Sequence, residues 1–119
     1  MTSYINLGGK DRPILYGTLA FRWLKQETGM LPADVVRALS ETQDVDVLIQ
    51  LTAYALRAGQ MSVGETPETF DADTVSLWVD TSGNTMETVE KLSDLVAVSM
   101  GIKSDDEAPA TEGAKKKAA

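Results

Sequence analysis

The residues of this chain that could do chemistry are carboxylates rather than nucleophiles or bases. The sequence contains no His and no Cys, which removes thiolate nucleophiles, the usual zinc ligands and the side chain that most readily transfers protons at neutral pH. One acidic group consists of Glu65, Glu68, Asp71 and Asp73. Such a group could bind a hard cation, but it lacks the spacing of a calcium loop and is interrupted by Pro67 and Phe70. Helix capping and solvation explain it better, so we expect no metal and no cofactor.

Two further features could suggest catalysis, but neither is sufficient evidence for it. Gly8 and Gly9 would indicate a phosphate loop only as part of a longer glycine motif, which the sequence lacks, so a turn is the better interpretation. Ser and Thr residues are present, but the chain has no His to activate them. The sequence therefore predicts a protein that is not an enzyme.

The charge balance limits the possible partners. Eleven basic and 18 acidic residues give a net charge of −7, and the excess of acidic residues lies entirely in residues 1–101. An acidic surface repels phosphate backbones, so we expect no nucleic-acid binding. No apolar run approaches the ~20 residues that cross a bilayer, and the N-terminus lacks the features of a signal peptide. We expect a cytosolic protein that does not bind membranes.

The fold must be organised around the stretch from Asp44 to Gly59, which is predicted to be a helix capped by the aspartate and ended by the glycine. Helical spacing gives it one apolar row of Val45, Leu48, Ile49, Thr52, Ala55 and Leu56. A second apolar row consists of Val47, Leu51, Tyr54 and Ala58. A helix that is apolar on more than one side must be covered on more than one side, by its own domain or by another chain.

Shorter elements surround this helix in the prediction. Residues 4–7 and 12–16 are candidate strands of a hairpin, and helices are expected over 18–28, about 32–39, from Asp71 or Asp73, and from Asn84 to Gly101. Residues 102–119 are poor in large apolar side chains. The predicted fold is mainly α: a small helical domain of four to five helices with an N-terminal β-hairpin over residues 1–101, and a disordered C-terminal tail over residues 102–119.

Candidate interaction residues follow from the second row of the central helix and from the hairpin. Leu51, Tyr54 and Ala58 are candidates because their row could be reserved for another chain. Ile14 and Tyr16 are candidates because an open strand edge can pair with a neighbouring subunit. We expect a homo-oligomer. Trp23 and Trp78 are expected to pack in the core, with interface anchoring as the alternative.

Four segments of the chain form one pattern: INLGGKDRPILYG (5–17), LAFRWLKQETG (19–29), the apolar helix at 45–59, and the acidic loop and helices that extend to Gly101. In this pattern the N-terminal ninety or so residues resemble the small tail assembly chaperones of long-tailed bacteriophages. The resemblance implies a non-catalytic protein that coats the tape measure protein, keeps it soluble, helps to recruit tail tube subunits and leaves before the virion is complete. It also implies self-association and a location in the host cell cytoplasm.

Two other classes stay open at this stage. A structural phage tail or connector subunit would use the same surfaces permanently and would remain in the virion. A small enzyme, or an acidic inhibitor that mimics nucleic acid, is the third possibility. An inhibitor of that kind should carry its carboxylates on one helical face, whereas here they are spread over separate segments: Asp34, Glu41, Asp46, Glu87, Glu90 and Asp94.

Overall fold

The computed structural model describes residues 2–102, and these residues form five helices preceded by a two-stranded antiparallel hairpin. The strands are β1 (Ser3–Leu7) and β2 (Lys10–Ile14). The helices are α1 (Thr18–Thr28), α2 (Pro32–Ser40), α3 (Val45–Ser62), α4 (Ala72–Asp80) and α5 (Thr85–Ser99). The predicted mainly α fold is confirmed. The tail prediction concerns residues 103–119 almost entirely, and these lie outside the described residues.

Helix α3 is the centre of the domain, since it contacts α1, α2, α4, α5 and β2. Both of its apolar rows contribute to the core, with Leu48, Leu51 and Leu56 among the most buried side chains. Asp44 caps the helix as predicted, because its side chain accepts a hydrogen bond from the Val47 N–H at 3.3 Å. The domain's own elements therefore cover α3 on more than one side.

The predicted end of the central helix is wrong, because Gly59 lies inside α3, which continues to Ser62. A Cβ atom at this position would lie 2.4 Å from the Pro13 carbonyl oxygen and 2.6 Å from the Ile14 nitrogen. The glycine is needed for the close approach of β2 to the helix and does not act as a C-cap. The same approach allows the Leu15 N–H to donate to the Ala55 carbonyl at 3.0 Å.

The hairpin has a two-residue turn at Gly8 and Gly9, with φ values of 65° and 82°. Two successive positive φ angles suit the right-handed twist of a tight hairpin and favour glycine at both positions. The register pairs Leu7 with Lys10 and Ser3 with Ile14, so β2 begins earlier than the predicted strand at 12–16 and ends before Leu15. The chain leaves the hairpin at that point because Leu15 bonds to α3 instead.

The remaining helix ends follow local sequence signals. Gly29 ends α1 with φ of 78°, and its N–H donates to the Lys25 carbonyl at 2.7 Å. Asp71, rather than Asp73, caps α4 by accepting from the Thr74 N–H at 2.7 Å. Asn84 caps α5 through the Glu87 N–H at 3.0 Å. These short-range bonds fix where each surrounding helix starts and stops, and so which side chains reach the surface.

Candidate protein-interaction surfaces

Four of the five candidate interaction residues are core residues in this structure. All four are nearly or fully buried: Leu51 exposes 0% of its surface, Ile14 1%, Ala58 2% and Tyr16 6%. They offer little surface to another chain in this domain, because the hairpin and the neighbouring helices cover the second row of α3. Tyr54 differs from them, since it is only half-buried and remains accessible at the surface.

Tyr16 takes part in a buried polar contact that sequence reasoning missed. The Thr52 hydroxyl donates to the Leu48 carbonyl at 2.7 Å and lies 2.6 Å from the Tyr16 hydroxyl. Because the threonine has a single hydroxyl hydrogen, the tyrosine is the donor in that pair. Burial raises the pKa of Tyr16 well above the usual 10.0, and the Thr52 hydrogen bond opposes the rise. This pair ties the start of the segment after the hairpin to the centre of α3.

The accessible side of α3 carries a patch of aromatic and cationic side chains, which we call the Tyr54 patch and define as Trp23, Tyr54 and Arg57. The Trp23 and Tyr54 rings lie 6.0 Å apart at an angle of 48°. The Arg57 guanidinium carbon lies 5.1 Å from the Trp23 ring centre, a cation–π distance. All three side chains are half-buried. Burial raises the pKa of Tyr54, and the charge of Glu27 raises it further.

The guanidinium of Arg57 is only partly satisfied by hydrogen bonds within residues 2–102. Its Nη1 atom lies 3.4 Å from the Thr69 hydroxyl, which is a long hydrogen bond. Its Nε atom is buried and has no hydrogen-bond partner among the described residues. A guanidinium that contacts a half-buried tryptophan beside a half-buried tyrosine combines the residue types that dominate protein interfaces.

The second tryptophan has a structural role. The Arg12 guanidinium carbon lies 4.0 Å from the Trp78 ring and 5.8 Å from the Phe70 ring. Arg12 also donates from Nε to the Leu7 carbonyl at 2.6 Å. A Cβ atom at Gly8 would meet the Trp78 ring at 2.7 Å, so the hairpin turn lies directly against it. This cluster joins the hairpin to α4, and the sequence offers no periodic signal for it.

Two members of the acidic group at residues 65–73 make hydrogen bonds within the domain. Glu68 accepts from the Gln60 side-chain amide at 2.7 Å, and its N–H donates to the Gln60 side-chain oxygen at 2.7 Å. Asp71 is the cap of α4. Within residues 2–102, no His, Cys, Asp or Glu side chains form a group of three or more that could hold a metal ion.

Two open grooves of opposite charge lie on the helical surface. The first, which we call the acidic groove, has a volume of about 520 Å³ and lies between α2, α3 and α5. Its apolar residues are Leu39, Val45, Leu48, Met86 and Val89. Its charged residues are Asp44, Glu90 and Asp94.

The second, which we call the basic groove, has a volume of about 590 Å³ and lies between α1, the start of α2 and the end of α5. Its apolar residues include Phe21, Leu31 and Met100, and its charged residues are Arg22 and Lys25. Neither groove was expected from the sequence, because each is assembled from side chains on three separate segments.

Comparison of the chain with protein-family models, with curated proteins and with solved structures finds no significant match. None of the helices within residues 2–102 has the length and apolar content needed to cross a bilayer.

Proposed function

We propose that the protein is a non-catalytic tail assembly chaperone of a long-tailed bacteriophage. In this proposal it binds the tape measure protein in the host cell cytoplasm, keeps it soluble and helps to recruit tail tube subunits. It also self-associates. The support from the sequence is the resemblance carried by residues 5–17, 19–29 and 45–59 and by the helices that extend to Gly101.

The observation that carries the proposal is the Tyr54 patch. Trp, Tyr and Arg are the residue types most often found to dominate the binding energy of protein interfaces, and here all three lie side by side at the surface of α1 and α3. Covering such a patch with another polypeptide would remove aromatic surface from water. A chaperone that holds an apolar, helical protein needs a surface of this kind.

The test is co-expression of this chain with a candidate tape measure protein, which is a long helical protein. We expect that protein to be recovered in the soluble fraction with the chain and in the insoluble fraction without it. Insolubility in both cases would refute the chaperone function. Mass spectrometry of purified virions then separates the two phage roles. The chaperone should be absent from the particle, whereas recovery in a fixed ratio to tail subunits would indicate a structural tail or connector subunit.

A further inference from the structure

We propose that the acidic groove binds a basic amphipathic helix, with an apolar side chain of that helix packed against Val45 and Met86 and with its Lys or Arg side chains beside the carboxylates of the groove. This inference deepens the proposed function, on which it rests in taking the partner to be a helical protein. It names the chemistry of the segment that this protein recognises.

The apolar part of the groove is available for contact. Met86 exposes 68% of its surface and Val45 exposes 47%, although both are large apolar side chains. The buried Leu48 and the half-buried Val89 line the same groove, so an apolar side chain placed there would contact the edge of the core. Methionine has an unbranched and polarizable side chain that adapts to partners of different shape. The rim of the groove can therefore adjust around an inserted apolar anchor.

The charge of the groove selects the partner. Asp44, Glu90 and Asp94 line it, and no Lys or Arg does. Lys91, on the same helix, forms an exposed ion pair with Glu87 at 3.5 Å and does not line the groove. Because the groove is part of a chain with a net charge of −7, the electrostatic field of the groove carboxylates and that of the whole chain have the same sign. A basic helix is attracted by both, and an acidic one is repelled by both.

A helix of another protein fits the groove better than other occupants do. The groove runs between three helices, which is the setting in which amphipathic helices dock by side chains at i, i+3, i+4 and i+7. The basic residues Lys115, Lys116 and Lys117 of this chain have only small neighbours such as Ala114 and Ala118, so that segment offers no apolar anchor. A second copy of the chain has the same net charge of −7, so its long-range field opposes its approach to this acidic face.

The test uses a synthetic 18-residue helical peptide with Leu at i, i+3, i+4 and i+7 and Lys at the other positions, titrated into the full chain and followed by fluorescence anisotropy. Met86→Ser removes an apolar contact from the groove without adding charge, and Glu90→Lys reverses a charge; both positions are exposed on α5. Leu77→Ser and Asp80→Lys are matched controls on α4, where Leu77 exposes 61% of its surface. Circular dichroism checks that every variant is folded.

We expect each groove variant to weaken peptide binding roughly tenfold or more, while the α4 controls bind as the unchanged chain does. A peptide with Glu in place of Lys should not bind. The inference is overturned if the unchanged chain does not bind the Lys peptide, or if all four variants bind it equally.

Failure of this inference can be distinguished from failure of the proposed function. If co-expression keeps the long helical protein soluble and the groove variants do so equally well, the chaperone function stands and the groove is not its binding site. If the peptide binds the groove but co-expression never yields soluble partner, the groove chemistry stands and the chaperone function fails.

Discussion

Replacement of Gly59 by alanine tests how the hairpin is attached to the central helix. In an isolated helix this change is stabilising by about 1 kcal/mol, because glycine is a poor helix former. Here the new Cβ atom would lie 2.4 Å from the Pro13 carbonyl oxygen and 2.6 Å from the Ile14 nitrogen. Both are backbone atoms, which cannot rotate away as a side chain could, so β2 must move.

The cost of that movement exceeds the gain in helix propensity. Adding a methyl group to a packed site costs about 1–3 kcal/mol. Displacement of the strand also strains the hydrogen bond from the Leu15 N–H to the Ala55 carbonyl, which contributes about 1 kcal/mol. After the propensity gain is subtracted, Gly59→Ala should lower the free energy of unfolding by about 1–3 kcal/mol.

Urea denaturation followed by circular dichroism measures this change, and hydrogen exchange at the Leu15 amide should become faster. Gly64→Ala is the control, because Gly64 has a φ of 80° but no atom within 4 Å of its added Cβ. It should cost only about 1 kcal/mol, the penalty for a left-handed residue, and should leave exchange at Leu15 unchanged. A Gly59→Ala protein that is more stable than the unchanged chain would refute the account of hairpin docking.

Three further predictions concern α3 and its contacts. Thr52→Val should cost about 1–3 kcal/mol in chemical denaturation because it leaves the Tyr16 hydroxyl buried without a partner, whereas Tyr16→Phe should cost only about 0.5–1.5 kcal/mol. Because the folded pKa of Tyr16 is raised above its usual 10.0, stability is fully present below that pH and should fall above it, by at most about 1.4 kcal/mol per pH unit per tyrosine. Leu51→Asp should unfold the domain, at a cost above about 4 kcal/mol, whereas Tyr54→Asp should keep the helical circular dichroism spectrum, because only Leu51 is fully buried.

Each of these predictions has an outcome that contradicts it. Equal costs for Thr52→Val and Tyr16→Phe would mean that the tyrosine hydroxyl finds another partner. The alkaline loss of stability should be reduced in Tyr16→Phe and retained in part through Tyr54, whose pKa is also raised. An unchanged pH profile in Tyr16→Phe would argue against the burial of that hydroxyl. A folded Leu51→Asp protein would show that this row of α3 is not core.

Much of the fold could be predicted because local signals were strong. The spacing of apolar residues along α3 and the caps at Asp44 and Asn84 act within one or two helical turns, so sequence alone reveals them. The two glycines at 8 and 9 similarly specify a two-residue hairpin turn. Gly59 was misassigned because a glycine near the end of an apolar pattern is usually a cap, and its close contact with β2 is a long-range feature.

The candidate surface was harder to predict than the fold. Leu51 and Ala58 share a row with Tyr54, and periodicity cannot reveal that the hairpin and neighbouring helices cover two of the three. The partners of Tyr54 in its patch, Trp23 and Arg57, lie on α1 and one turn further along α3. The α3 spacing alone could have linked Tyr54 to Arg57, but the position of Trp23 depends on how two helices pack.

The soluble yield of the long helical partner, measured with three versions of this chain, tests the central claim most directly. The account predicts soluble partner with the unchanged chain and with Leu77→Asp, and insoluble partner with Tyr54→Asp. Only Tyr54→Asp places a carboxylate in the Tyr54 patch. Equal solubility with all three versions would contradict binding through that patch. An insoluble partner with the unchanged chain would contradict the chaperone function itself.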